Sequence, residues 1–172
     1  MVVWLIGLSG SGKTTLGTEV ARQWQTIAPN TVFLDGDLMR EIFQHDQGDA
    51  PFTVEGRRIA AKRMVALCEF LDRQGINVVC AILSIFQDMR TENRKRFTRY
   101  FEIFMDAPLE VLKRRDMKGL YSAAERGEMG NVVGIDIPFE RPVGPDMIID
   151  SSTDCPDIER LAAEVLKQVI AQ

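Results

Sequence analysis

Five apolar residues, Val2–Ile6, run without interruption into Gly7, and a helical spacing of apolar residues follows at Leu16, Val20 and Trp24. A continuous apolar run that ends in glycine reads as a buried parallel strand. The same alternation recurs along the chain. Strands are predicted at Thr31–Leu34, Asn77–Leu83, Tyr100–Met105 and Met147–Ile149. Helices are predicted at 14–25, 38–43, 53–74, 88–99 and 109–115, with a last one opened by Pro156. Thr53 is the expected cap of the longest helix, whose stripe is Ala60, Met64, Leu67 and Leu71. The last helix carries Ile158, Leu161, Ala162, Val165, Leu166 and Val169 on one stripe. Strands alternating with helices imply an α/β fold: a five-stranded parallel sheet flanked by helices on both faces. Met117–Pro145 breaks the pattern with five glycines and three prolines. A stretch this long without periodicity is a candidate lid, spanning about 116–145.

The 172 residues fit one domain, large enough to bury a core without staples. A formal net charge of −4 excludes a surface basic enough to coat nucleic acid. Cys68, Cys80 and Cys155 form no C-x-x-C pair and read as buried free thiols. No secretory signal or apolar run of membrane-spanning length is present, so a cytoplasmic protein is expected. His45, the single histidine, reads as surface, as does the Arg94-Lys95-Arg96 run.

The strongest chemical signal is Gly7-Leu-Ser-Gly-Ser-Gly-Lys-Thr14, a complete G-x-x-x-x-G-K-[ST] between a strand and a helix. Gly7, Gly10 and Gly12 let the backbone curl so that N–H groups point inward at phosphate oxygens. The helix adds the positive end of its dipole. Gly7, Ser9, Gly10, Ser11, Gly12, Lys13, Thr14 and Thr15 are therefore expected to hold ATP. Lys13 carries the charge to the β and γ phosphates, and Thr14 offers a hydroxyl to Mg²⁺. No Asn-Lys-x-Asp guanine-reading sequence is present, and the short chain favours a small-molecule kinase over a switch or motor.

The second strand ends in Asp35-Gly-Asp37, with Arg40 beyond it. Strand ends face the ligand crevice in such sheets. Asp35 is the candidate partner for the metal, and Asp37 the candidate to accept a proton from an acceptor hydroxyl. Arg115 and Lys118 stand at the entry to the lid, where cations can close over a transferring phosphoryl group.

These residues resemble the adenylylsulfate (APS) kinases through nearly the whole chain. The matching pieces are the glycine-rich loop, Leu34-Asp-Gly-Asp37 with Arg40, Phe52-Thr53 with Arg57, Ser84, and Asp106-Ala-Pro-Leu-Glu110. The most specific is Arg115-Asp-Met-Lys-Gly-Leu-Tyr121, followed by Gly134-Ile-Asp136, Phe139-Glu140 and Pro142. The resemblance implies an adenylate-kinase-like fold, often dimeric, that uses MgATP to phosphorylate the ribose 3′-hydroxyl of adenylyl sulfate. It places Asp37 near that hydroxyl and Arg40, Arg57 and Lys118 around the acceptor's anionic groups. It sets Phe52 against the base, has Arg115 assist ATP, and has Ser84 act through a hydrogen bond beside Ile85. The chain departs from the family at Gly56 (commonly Asp), Ala60 (Asn), Ile85 (Pro), Met89 (Asp) and Val132 (Phe). Losing an aromatic face and an amide changes how a base is held. The MgATP machinery is intact while the acceptor machinery is edited. Adenylyl sulfate is the first acceptor expected, and a pyrimidine nucleotide such as cytidine diphosphoramidate is the alternative. A nucleotide sensor without transfer is a third reading.

Overall fold

The computed structural model describes residues 1–44, 50–116, 118–153 and 157–171. Expectations for His45, the loop from Gln47, Met117, Cys155 and Pro156 lie outside those residues. Five parallel strands form one sheet in the order β2-β3-β1-β4-β5: β1 Val2–Ile6, β2 Thr31–Asp35, β3 Asn77–Ile82, β4 Tyr100–Asp106 and β5 Met147–Asp150. The register pairs Ile6 with both Ile82 and Phe104, so the C-terminal ends of β1, β3 and β4 lie level along one edge.

The helices are α1 Lys13–Ile27, α2 Gly36–Ile42, α3 Val54–Arg73, α4 Gln87–Arg96, α5 Leu109–Arg115, α6 Leu120–Glu125 and α7 Ile158–Ala171. Side chains alternate across each strand. Val3, Leu5, Val79 and Ile103 therefore pack with Leu16, Val20 and Trp24 of α1 and Ala162, Val165 and Val169 of α7. Trp4, Ile6, Val78, Cys80 and Ile82 face the other way, against Met64, Val65 and Cys68 of α3 and Phe97 after α4. Cys68 and Cys80 are free and buried.

Two expectations are corrected. The buried face of α3 is Gly56, Ala61, Met64, Val65, Cys68 and Asp72, a small turn of the helix away from the expected stripe. Leu67 and Leu71 pack at its edge, while Ala60 is turned toward the β3 end. The helix is apolar over more than the width of one face, so its period does not say which apolar residues go deepest. The lid region is also not without structure. It holds α6 and a cluster of its own, Leu8, Leu112, Tyr121, Val132, Val133 and Ile137. A six-residue helix is too short to show a period.

Candidate active site

The glycine-rich loop joins β1 to α1. Gly10 and Gly12 have φ of +79° and +87°, a region that disfavours any residue with a Cβ. A Cβ on Gly7 would come within 2.8 Å of the Met105 carbonyl oxygen. Gly12 is the N-cap of α1 and supplies no side-chain cap, so the first-turn N–H groups are open to an anion. The loop is braced from outside. Tyr121 Oη donates to Ser9 O at 2.9 Å, and Ser151 Oγ donates to Ser11 O at 2.7 Å. Arg115 donates to Ser151 O at 2.8 Å, which places it beside the loop. Sequence reasoning carried Tyr121 only as the end of the Arg115–Tyr121 motif and did not single out Ser151.

Lys13 lies half-buried and donates from Nζ to Leu8 O at 2.7 Å. Burial pushes its pKa down to about 8, against the opposing pull of the Asp37 and Asp35 carboxylates. Thr14 Oγ1 donates to Asp35 Oδ2 at 2.7 Å. Asp35 Oδ1 accepts from the Asp37 and Leu38 N–H groups and caps α2. Thr14 and Asp35 thus meet at the loop's mouth as two hard oxygen donors. Among the described residues no three His, Cys, Asp or Glu gather as a metal cage.

Asp37 stands in the first turn of α2, clasped by two cations. Arg40 Nη1 reaches Oδ1 at 2.7 Å, and Lys118 Nζ, 81 residues on, donates to Oδ2. Burial pushes the Asp37 carboxyl up, but Lys118 and Arg40, with Lys13 behind them, outweigh it and leave its pKa below the usual value.

Phe52 belongs to a short 3-10 turn, Ala50–Phe52, packed on the start of α3. The guanidinium carbons of Arg40 and Arg57 lie 5.6 and 5.9 Å from the centre of its ring. Arg57 donates from Nε to Phe52 O at 2.8 Å and from Nη2 to Asn131 O at 2.8 Å, tying the turn to the lid region. Burial, with Arg40 nearby, pushes the Arg57 pKa down to about 10. The turn can sit this close because residue 56 is glycine: a Cβ there would meet Ala50 O at 2.1 Å. Arg40, Arg57, Ala60, Ser84, Ile85 and Phe86 line a shallow cavity beyond the end of β3.

Val132 and Ser84, both expected on the acceptor side, are buried. Val132 is 1% exposed and packs in the lid cluster, so it presents no free face here. Its apolar side chain finds better company with Leu8, Leu112 and Tyr121. Ser84 is buried, and its Oγ accepts from Trp4 Nε1 at 3.0 Å.

A family model described as adenylylsulphate kinase matches residues 1–150. The chain belongs to the adenylylsulphate kinase family. A Synechococcus (strain JA-3-3Ab) adenylyl-sulfate kinase is 38% identical over 162 residues, covering 92% of this chain and 90% of its own. A Campylobacter jejuni cytidine diphosphoramidate kinase is also 38% identical, over 151 residues, covering 88% of this chain and 86% of its own. Among solved structures, the Mycobacterium tuberculosis APS kinase CysC in complex with AMPPNP and APS superposes with a TM-score of 0.83 at 31% identity. That match covers 99% of this chain and 97% of the other. The Aquifex aeolicus shikimate kinase shares the fold alone, at 19% identity and a TM-score of 0.58. The chain is accordingly a nucleotide kinase of the APS-kinase type, and the expected P-loop kinase fold is the one observed.

Proposed function

We propose that the chain transfers the γ-phosphoryl group of MgATP to the ribose 3′-hydroxyl of adenylyl sulfate. The observation that carries this reading is Asp37, an anionic acceptor held between Arg40 and Lys118 within the field of Lys13. Such a carboxylate can take the hydrogen bond of a hydroxyl while the flanking cations hold a sulfated phosphate. Lys13, the loop amides of Gly10–Thr15 and Arg115 hold ATP. Thr14 and Asp35 would hold Mg²⁺, which when bound neutralises charge on the β and γ oxygens.

The acceptor oxygen bonds to the γ phosphorus as the bridge to the β-phosphate breaks, and ADP leaves. The hydroxyl proton passes to Asp37 and from there to solvent. Lys13 stabilises the charge on the transferring group, and closure of the lid at 116–145 excludes water. The homodimer implied by the family resemblance is part of this reading. The buried free thiols fit a reducing cytoplasm.

A second acceptor is supported by a specific observation. The cavity presents Ala60 and Ala61 where an amide could grip a base, and Val132 gives no stacking face opposite Phe52. Such a pocket suits a smaller base, as in cytidine diphosphoramidate. The deciding experiment compares kcat/KM for the two nucleotides. A preference of about a thousandfold, ~4 kcal/mol of transition-state binding, assigns the substrate. Tight ATP binding with no acceptor-dependent ADP from either would leave the sensor reading.

A further inference from the structure

Ser84 closes β3 with φ +53°, in the left-handed region that a residue with a Cβ seldom adopts. Two buried donors hold it there. Trp4 Nε1 binds its hydroxyl oxygen, and the Arg90 guanidinium donates to its carbonyl oxygen. Arg90, on α4, and Glu102, in the middle of β4, are each 1% exposed, with Arg90 Nε 3.9 Å from Glu102 Oε1. Tyr100 Oη donates to Glu102 Oε2 at 2.7 Å. Arg90 also donates to Gln87 Oε1, which accepts in turn from Val143 N at the end of the lid region.

Withdrawing a guanidinium and a carboxylate from water costs several kcal/mol per ion, and a packed apolar pair is often as stable. Stability is therefore a poor reason for this pair. What Arg90 touches is more informative: a strained residue at the strand end where ligands bind in doubly wound sheets. Leu83, Ser84 and Ile85 line the same cavity as Arg40 and Arg57.

We infer that Arg90 is a positioning residue. Faced by the Glu102 carboxyl, which Tyr100 Oη fixes, and bonded to Gln87, it locks Ser84 in the left-handed turn, so that the backbone at 83–85 offers the acceptor one fixed surface. The inference rests on reading that cavity as the acceptor site.

Steady-state kinetics on the full chain tests it, with ATP and the better of the two candidate nucleotides. Arg90→Lys should raise the acceptor KM about tenfold, within the ~10²-fold that a 1 Å misplacement can cost, and leave the ATP KM unchanged. Tyr100→Phe removes one oxygen and should move the acceptor KM the same way by less. Glycine adopts the left-handed turn freely, so the Arg90→Lys effect should shrink in a Ser84→Gly background. Equal rises in both KM values, an unmoved acceptor KM, or the same effect in both backgrounds overturns the inference. If Arg90→Lys does not fold, Tyr100→Phe decides alone by the same split. Absence of wild-type turnover with either nucleotide overturns the acceptor reading and this inference together. Normal wild-type turnover with unmoved variant KM values overturns only this one.

Discussion

Lys118, just before α6, reaches across 81 positions of sequence to the carboxylate of Asp37 at the start of α2. Both side chains are more than half exposed, at 65% and 54%. Exposed ion pairs contribute under ~1 kcal/mol to stability, so the contact matters for where it places charge rather than for holding the fold. It joins the lid entry to the start of α2, the side proposed to receive the acceptor.

Lys118→Ala should therefore leave the thermal midpoint nearly unchanged and raise the acceptor KM, with a smaller effect on the ATP KM. Thermal melts and a kinetic split on the same preparations check both halves. A large loss of stability would make Lys118 structural instead.

Asp37→Asn should lower kcat by ~10²-fold or more, the scale of a general-base contribution, while ATP affinity stays within a few-fold. The wild-type carboxyl is held below its usual pKa, so its stabilising contacts are fully present above the unfolded value near 3.8 and are lost as pH falls through the lower folded value. The kcat profile should show no ionisation of Asp37 between pH 5 and 7. An acidic limb in that window that vanishes in Asp37→Asn would contradict this.

For Lys13 the lowered pKa favours the neutral form rather than the charged one, but the slope has the same sense. Its folded pKa of about 8 lies below its ordinary value of 10.5, so between the two the unfolded chain binds more protons and stability rises with pH. Phosphate restores the charge. ATP binding near pH 8–9 should therefore take up protons, visible in calorimetry as a heat that depends on the buffer's ionisation enthalpy. Lys13→Ala should abolish that uptake and lower kcat by ~10²–10³-fold, the scale of losing one preorganised donor.

Gly56→Ala puts a Cβ 2.1 Å from Ala50 O. The 3-10 turn must move, carrying Phe52 away from Arg40 and Arg57, at a cost of ~1–3 kcal/mol. The acceptor KM should rise and the ATP KM should not. An unchanged acceptor KM would show that Phe52 does not set base binding.

Much of the donor side was legible before any coordinates. The glycine-rich loop lies between β1 and α1 as expected, because its signal is local: each glycine answers a backbone need within eight residues. Asp35-Gly-Asp37 was legible for the same reason, since a strand end points at the crevice. The acceptor side was less so. Arg57 was expected around the acceptor's anionic groups, and its ties to Phe52 O and Asn131 O were not foreseen. Val132, which stands where the family commonly has Phe, is buried in the lid cluster. Glu102 was a further signal: a carboxyl amid the apolar Tyr100–Met105 run must find buried partners, and it meets Tyr100 Oη at 2.7 Å with the Arg90 guanidinium beyond.

Local chemistry in the chain was enough to specify a phosphate-binding loop, a parallel sheet of five strands and a pair of carboxylates at one strand end. These features repeat at short range, with periods of two or 3.6 residues or within a single turn. The formation of the acceptor side was decided by packing between distant segments. Lys118 meets Asp37, Gly56 admits the Phe52 turn, and Arg90 reaches Ser84 only when the sheet and helices have closed. Such contacts follow from how faces fit in three dimensions, and no short-range period records them.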